Sequence, residues 1–286
     1  MIAVISIYIF IIIGFISKKI FPEINEKSFV ILSVYFLQPF LTLWGLTLKP
    51  LNIDSLIAPS LYLSIIFISL IFTYLLARFL EKKDRSIATI TALIGNTGNL
   101  GIPLSYAIFG SDGAFYATIL NLTNMFFIYI FGIFFYAGKF NIENAKRIFK
   151  IPIIYVGFIA IIINSLHIDL SPISQMLHMG AYSSMVIQLI IFGIYTANIK
   201  INKIPIKLST IIVFEKFILI PIIGYFILSF FNIDETMKKI IILEVSVPIA
   251  VNNVNLAALF DNQPEIVAWL IILTSILFIP YFVILF

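Results

Sequence analysis

Long apolar runs alternate with short polar stretches along the whole chain. A transmembrane helix needs about 20 mostly apolar residues to cross roughly 30 Å of hydrocarbon, and most of the runs come close to that length. The seventh run is the least regular, because polar residues such as Gln175, His178 and Gln188 interrupt it. The pattern predicts an all-α polytopic membrane protein with ten transmembrane helices, at residues 2–17, 28–48, 56–79, 87–109, 114–137, 151–166, 175–197, 208–230, 239–260 and 265–286.

The composition agrees with this pattern and narrows the chemistry. Hydrophobic residues make up 61% of the 286 positions and charged residues 11%, with a mean hydropathy of +1.11, whereas soluble domains average roughly 45–50% apolar and about 25% charged residues. Membrane lipid is therefore an expected partner. The absence of cysteine excludes disulfides and thiolate metal sites, and both histidines, His167 and His178, fall in one short segment. We expect no metal site, no cofactor and no enzymatic activity, since no catalytic constellation lies at the end of a span.

The basic residues predict the orientation of the chain. Cytoplasmic loops of membrane proteins are enriched in Lys and Arg. Fourteen of the 18 basic residues fall in odd-numbered loops, three fall in even-numbered loops, and Lys216 lies within a span. This division predicts a multi-pass protein of the cell inner (cytoplasmic) membrane with both termini outside. The basic loops serve as topology signals, so we expect no nucleic-acid partner.

The longest internal polar stretch divides the chain into two halves. Residues 139–150 follow the fifth span and form a predicted cytoplasmic linker between a first five-helix repeat, 1–138, and a second one, 151–286. Because each half has an odd number of spans, the second half must be inverted relative to the first. Inverted repeats are a common way to build secondary transporters.

The fourth span of each half carries residues that disfavour a continuous helix. The segment 95–103 contains three glycines and Pro103, and the segment 244–255 contains Pro248. Proline lacks the N–H that would bond four residues back, so both helices are predicted to be broken. Open backbone at this depth needs protein or water around it, and two interrupted helices in matching positions are the best sequence pointer to a transporter's binding site.

Broken helices of this kind have the chemistry to bind an anion. A half-helix begins with free N–H groups and a partial positive charge, and asparagine side chains add neutral donors. The freed carbonyls could instead receive a cation. A structural role also stays open, since proline is common in membrane helices and asparagine can join them. The predicted substrate-binding residues are Asn96, Gly98, Asn99, Pro103, Pro248, Asn252 and Asn253.

Three charged residues, Glu215, Lys216 and Glu244, fall within predicted spans. Such residues are costly in lipid and face protein or water. Lys216 and Glu244 are predicted either to act in ion coupling, with Glu244 as the protonation site, or to form a structural ion pair. Gln38 in the second span and Asn121 in the fifth are secondary polar contacts, for which interhelical hydrogen bonds are the simpler explanation.

A family resemblance rests on the fourth span, where residues 96–104 read Asn-Thr-Gly-Asn-Leu-Gly-Ile-Pro-Leu. This stretch resembles the fourth-helix motif of the auxin efflux carrier family, which includes plant PIN proteins and bacterial carriers for malate or malonate. Residues 38–40 and 247–252 are similar as well, and the resemblance runs from the first span to the last. It implies two inverted five-helix repeats, in which the broken fourth and ninth helices cross at their prolines. It also implies a transport domain that moves against a scaffold domain as an elevator.

Two functions are consistent with these observations. The favoured one is a secondary transporter for a small organic anion, a carboxylate such as malate, malonate or an auxin-like acid, with or without coupling to H⁺ or Na⁺. By the family analogy the carboxylate sits near Asn99, Pro103, Pro248 and Asn252. The alternative is a monovalent cation/proton antiporter with the same broken-helix crossover, although such antiporters usually place aspartates where this chain has asparagines. Transport direction and oligomeric state, including a homodimer, stay open.

Overall fold

The computed structural model describes residues 2–138, 150–198 and 204–285. The predicted linker therefore lies outside the described residues, except for Lys150. Helices follow one another along the described ranges, and they begin and end within a few residues of the predicted spans. They are α1 (Ile2–Ile20), α2 (Glu26–Thr47), α3 (Ile53–Ala77), α4 (Arg85–Ile90), α5 (Thr97–Ala137), α6 (Pro152–Ser165), α7 (Ser174–Asn198), α8 (Ile206–Ser229), α9 (Glu235–Ser246), α10 (Asn252–Leu259) and α11 (Pro264–Leu285).

Several helices begin where the sequence offers a side chain that caps the first free amides. Asn52 accepts from the backbone N–H of Ser55, and the Ser55 hydroxyl oxygen accepts from the backbone N–H of Asn52, which forms a capping box at the start of α3. Asp234 caps α9 by accepting from the Met237 N–H at 2.8 Å. Such caps satisfy donors that a helix leaves unpaired at its N-terminus.

Six runs in the described ranges are long and apolar enough to cross a membrane: Glu26–Thr47, Ile53–Ala77, Thr97–Ala137, Ser171–Ala197, Ile206–Ser229 and Pro264–Leu285. Helix α5, with 41 residues, would measure about 60 Å at 1.5 Å per residue, roughly twice the hydrocarbon thickness. Gly110 interrupts it with a φ of 59° and a ψ of −138°, a conformation that glycine adopts readily. Helix α5 thus divides into an arm at 97–109 and an arm at 111–137. The count of ten spans, the inverted repeat and the outside termini stay predictions.

The helices pack in two groups. Helices α1, α2, α6 and α7 contact one another, while α3, α5, α8 and α9 form the second group, with α2 and α1 also touching α5. The packing of α1 on α7 depends on two glycines, because a Cβ on Gly14 would overlap the carbonyl of Ile190 and one on Gly193 would overlap that of Ile11. Small residues of this kind let membrane helices approach closely.

The outer surface of the protein is strongly apolar, and its interior contains several polar and charged side chains within an apolar core. Large apolar side chains stand exposed on the outside, for example Phe79 at 70% and Ile284 at 85%, where a soluble protein would place charge. Polar and charged side chains such as Asn124, Lys216 and Glu244 are buried inside instead. This distribution is the one expected of a protein surrounded by lipid, with its polar groups gathered at a protein-lined interior.

Candidate functional site

The first helix interruption lies between α4 and α5. Helix α4 ends in a 3₁₀ turn at Thr91–Leu93. Residues Ile94 to Asn96 then leave helical geometry, with φ/ψ of −92°/88° at Ile94 and −79°/52° at Asn96. Pro103 does not lie in the opened segment but near the start of the helical stretch after a wide π-helical turn at Thr97–Gly101. Proline fits at this point because the π-helical turn before it already departs from regular α-helical hydrogen bonding, so the missing N–H of Pro103 breaks no regular turn.

The second interruption lies between α9 and α10. Helix α9 ends at Ser246, and Val247 adopts an extended conformation with φ/ψ of −54°/150°. Pro248 lies within this extended segment, and α10 begins at Asn252. Here the proline is part of the break itself, since it cannot donate a backbone hydrogen bond.

The two opened segments lie side by side and pair with each other. The N–H of Asn96 donates to the carbonyl of Pro248 at 2.8 Å, and the N–H of Ala250 donates to the carbonyl of Ile94 at 3.0 Å. Together these bonds form an antiparallel bridge between Gly95 and Ile249. Each interruption thus supplies hydrogen-bond partners for the backbone that the other leaves open, which buried backbone requires.

A cavity of about 100 Å³ lies against this crossing. Its described lining carries amide, hydroxyl and apolar side chains, and none of the described residues that line it is charged. The apolar wall comes from α2, α5 and α7, with residues such as Val34, Met125 and Ile191. The polar lining consists of Ser33, Gln38, Asn96, Thr97, Asn99, Asn121, Asn124, Tyr129, Gln188, Tyr195, Asn252 and Asn255.

The amide side chains of the cavity are held in place by one another. The Thr97 hydroxyl donates to Asn121 Oδ1 at 2.9 Å, and Asn124 Nδ2 donates to the Gly95 carbonyl and to Thr97 Oγ1, both at 3.0 Å. On the opposite side of the cavity, Gln38 Nε2 of α2 donates to Gln188 Oε1 of α7 at 3.2 Å. Three buried side-chain atoms of the lining have no hydrogen-bond partner among the described residues: Asn96 Nδ2, Asn124 Oδ1 and Ser33 Oγ. Polar groups left in this way are costly unless a ligand or water completes them, and the Asn96 Nδ2 is a donor.

The start of α5 adds backbone donors at the same place. Thr97, Gly98 and Asn99 form its first turn and line the cavity. The first N–H groups of a helix have no acceptor within the helix, and they carry the positive end of its dipole. Backbone and side-chain donors therefore converge on the cavity from the first interruption.

The structure divides the predicted substrate-binding residues into two sets. Asn96, Gly98, Asn99 and Asn252 line the cavity, as do the secondary contacts Gln38 and Asn121. Pro103, Pro248 and Asn253 do not line it. Asn253 is buried and its amide is fully engaged: Nδ2 donates to the carbonyls of Ile94 and Ala250, and Oδ1 accepts from the Tyr136 hydroxyl.

Lys216 and Glu244 lie behind the crossing rather than in the cavity. Lys216 is 1% exposed, and its Nζ donates to the carbonyl of Ala92 at 3.1 Å. Glu244 has no exposed surface, and its Oε1 accepts from the Ser105 hydroxyl at 2.7 Å. The two side chains are near enough to interact electrostatically but form no direct ion pair in the described part of the chain. The ion-coupling role stays a prediction.

Several cavity residues were not singled out by the sequence as binding residues. Thr97 was not named as one, and Asn124, beside Asn121 in the fifth span, was expected to form interhelical hydrogen bonds, and each of the two bonds another side chain of the cavity. Gln188 was noticed only as a polar residue that weakens a span, and Tyr195 not at all. The available signal was a polar residue in an otherwise apolar span, which membrane helices retain mainly where it faces protein or water.

An aromatic cluster forms around Trp44, which follows Gln38 along α2. The ring of Trp44 meets those of Tyr106 at 5.4 Å and Tyr182 at 6.0 Å between centroids, and the Tyr182 hydroxyl donates to that of Tyr106. The ring of His178 is tilted against that of Tyr182, with centroids 4.3 Å apart. These contacts tie α2 and α7 to the first arm of α5 beyond the cavity.

Comparison with known proteins agrees with this architecture. A family model described as membrane transport protein matches residues 1–151 and 138–286, so it covers the whole chain. An uncharacterized transporter of Methanocaldococcus jannaschii is 25% identical over 289 aligned positions, which cover 95% of this chain and 93% of that protein. The family resemblance of the fourth-span motif is thereby confirmed.

Proposed function

Because the chain belongs to the auxin efflux carrier family of membrane transport proteins, we propose that it is a secondary transporter that carries a small organic anion across the cytoplasmic membrane. The proposed substrate is a carboxylate such as malate, malonate or an auxin-like acid. One observation carries the proposal: an uncharged, amide-rich cavity lies where two interrupted helices cross, and the first turn of α5 lines it.

The donor set suits a carboxylate. Two oxygens with several lone pairs can accept from the Asn96 side chain, from the backbone N–H groups of Gly98 and Asn99, and from Asn252. Neutral donors compensate part of the lost hydration of the anion. They also leave no cation in the cavity that would lose its hydration when the substrate binds. Because no ion pair forms with the substrate, its release is not hindered.

Alternating access by an elevator-type movement is part of the proposal. The cavity lies between the two helix groups, with α2 and α7 on one side and the crossing segments on the other. We propose that α1, α2, α6 and α7 act as the scaffold and that the group with the crossing slides along them. The aromatic cluster of Trp44, Tyr106 and Tyr182 supports this assignment, since it joins the groups beyond the cavity through contacts that a slide could exchange.

The cation/proton antiporter remains the alternative to test. Glu244 is a buried carboxylate next to the crossing, and its Oε2 has no hydrogen-bond partner among the described residues, which is the observation in its favour. Against it, Glu244 packs on the side of the crossing away from the cavity, and no Asp or Glu is found among the described residues that line the cavity.

Proteoliposomes distinguish the two functions. Uptake of labelled malate and malonate is measured beside sodium–proton exchange in vesicles from the same preparation. The proposal expects uptake of at least one carboxylate that Asn96→Leu clearly weakens and that Asn25→Ala, a change in a loop-end cap, leaves intact. Sodium–proton exchange without carboxylate uptake would instead establish the antiporter.

A further inference from the structure

A buried cation lies directly behind the wall of the cavity. The ammonium of Lys216 is 3.1 Å from the carbonyl oxygen of Ala92, and it is also 3.1 Å from the point where a Cβ on Gly95 would be. Since a Cα–Cβ bond is about 1.5 Å long, the ammonium is at most about 4.6 Å from the Gly95 Cα. Gly95 itself lines the cavity. Only the backbone of one glycine therefore stands between this charge and the cavity.

The position of the ammonium is determined by the helix interruption. The carbonyl of Ala92 belongs to the last turn of the 3₁₀ segment that ends α4, where the unpaired carbonyls carry the negative end of the helix dipole. Lys216 comes from α8, which is distant in sequence, and reaches this end of α4 across the protein interior. The lysine thus caps one half-helix while its charge faces the back of the cavity wall.

The neighbouring carboxylate is held at a different point. Glu244 bonds to Ser105 and packs against Gly101, where any Cβ would overlap its carboxylate. Gly101 and Ser105 lie beyond the first turn of α5 and do not line the cavity. The positive charge is therefore nearest the cavity wall, and the negative charge is set back from it. Glu215, a buried carboxylate next to Lys216 on α8, shows no hydrogen bond to its side-chain oxygens among the described residues.

We propose that Lys216 is a positioning residue that makes the cavity selective for anions over neutral solutes, through the glycine wall and without touching the substrate. The inference rests on the proposed function and assigns the source of its charge selectivity. A glycine at position 95 keeps this wall thin, since a Cβ there would lie 3.1 Å from the ammonium and 3.2 Å from Val247 Cγ2. Coulomb interaction weakens with distance, and it is strong here because little water screens it.

The experiment compares a charged probe with its neutral counterpart. Binding of malonate and of malonamide, the uncharged diamide, is measured by titration calorimetry on purified protein. The variants are the wild type, Lys216→Met, Lys216→Arg and, as a matched control near the other buried charge, Ser105→Ala. We expect Lys216→Met to lose about tenfold or more in malonate affinity, a typical effect for a poorly screened charge at short range, with malonamide affinity unchanged. Lys216→Arg should keep most of the preference, and Ser105→Ala should keep all of it.

Each outcome of this binding experiment supports or overturns the proposed role of Lys216. A Lys216→Met protein with the wild-type preference for malonate overturns this inference and leaves the proposed function standing. Equal losses for malonate and malonamide also overturn it, because they show a structural role only. Should Lys216→Met not fold, Lys216→Gln gives the second measurement, since its amide is neutral but can still donate to the Ala92 carbonyl. Unchanged selectivity there contradicts the inference. A wild type that binds neither malonate nor malate nor an indole acid overturns the proposed function together with the inference.

Discussion

The two interruptions use the same residue type for different purposes. At the first one, between α4 and α5, Asn96 turns a buried and unpartnered Nδ2 toward the cavity. At the second one, between α9 and α10, Asn253 engages its whole amide with Ile94, Ala250 and Tyr136. Its neighbour Asn252 is exposed in the cavity. A polar residue in a broken helix therefore holds the crossing together or serves a ligand, and its hydrogen bonds distinguish the two.

The side chains around the two interruptions also differ in charge. Behind the first lie Lys216 and Glu244, two buried charges that bond to α4 and to α5. The described side chains that bond to the second are neutral, for example Thr274, which accepts from the N–H of Ile249 at 3.3 Å. The first interruption thus carries the electrostatics of the site, and the second is held by neutral hydrogen bonds. Four substitutions test this division, in order of decreasing effect.

Asn253→Leu should have the largest effect, on stability. It removes the three hydrogen bonds of the buried amide, to Ile94, Ala250 and Tyr136, each of which contributes about 0.5–1.5 kcal/mol. We expect a loss of about 3 kcal/mol, seen as a clearly lower midpoint of thermal unfolding in detergent. Asn252→Leu, one residue earlier, is the matched control and should hardly move the midpoint. Equal shifts for both would contradict the division.

Gly101→Ala should come next, again on stability. The new Cβ would overlap the Glu244 carboxylate, which is fully buried and has little room to move. Overpacking of this kind typically costs about 1–3 kcal/mol. Because the clash is with one side chain, combining Gly101→Ala with Glu244→Ala should cost less than the sum of the two single changes. Strict additivity in this double-mutant cycle would show that Glu244 does not occupy the space beside Gly101.

Asn96→Leu should affect function and spare the fold. It removes a buried donor that has no partner among the described residues, so the midpoint of thermal unfolding should stay level or rise. Carboxylate affinity should fall by about tenfold, the equivalent of one charge-assisted hydrogen bond of about 1.4 kcal/mol. Uptake into proteoliposomes and thermal unfolding of the same preparation provide both measurements. A destabilised protein with unchanged affinity would place Asn96 with the structural residues.

Gln38→Leu should have the smallest effect. Gln38 of α2 donates a hydrogen bond to Gln188 of α7, on the side of the cavity that faces the two interruptions. The loss of this one neutral hydrogen bond should lower the free energy of unfolding by about 0.5–1.5 kcal/mol. For carboxylate binding we expect roughly a threefold change in affinity, which corresponds to about 0.7 kcal/mol. Gln188→Leu removes the same bond from the other helix and should match it. A change as large as that of Asn96→Leu would give the α2 side of the cavity a direct share in binding.

Much of the fold was predictable because its causes are local. The length of each apolar run set where helices such as α3 and α8 begin and end, since hydrocarbon thickness determines how many residues a span needs. Pro248 marked the second interruption correctly, because proline removes a backbone donor wherever it stands. The first interruption was predicted in the right segment but lies several residues before Pro103, where the π-helical turn at Thr97–Gly101 absorbs the irregularity.

The sequence by itself determined that the chain belongs in a membrane, where its helices lie and which two of them are broken. Only the tertiary structure decided that Asn253 supports the crossing while Asn252 faces the cavity, and that Thr97 and Asn124 join the site. It alone brought Lys216 of α8 to the end of α4. The physical reason is the range of the interactions. Helix length and proline act over a few residues, whereas the use of a polar side chain depends on a partner from another helix, and for Lys216 and Asn253 that partner lies more than 100 residues away.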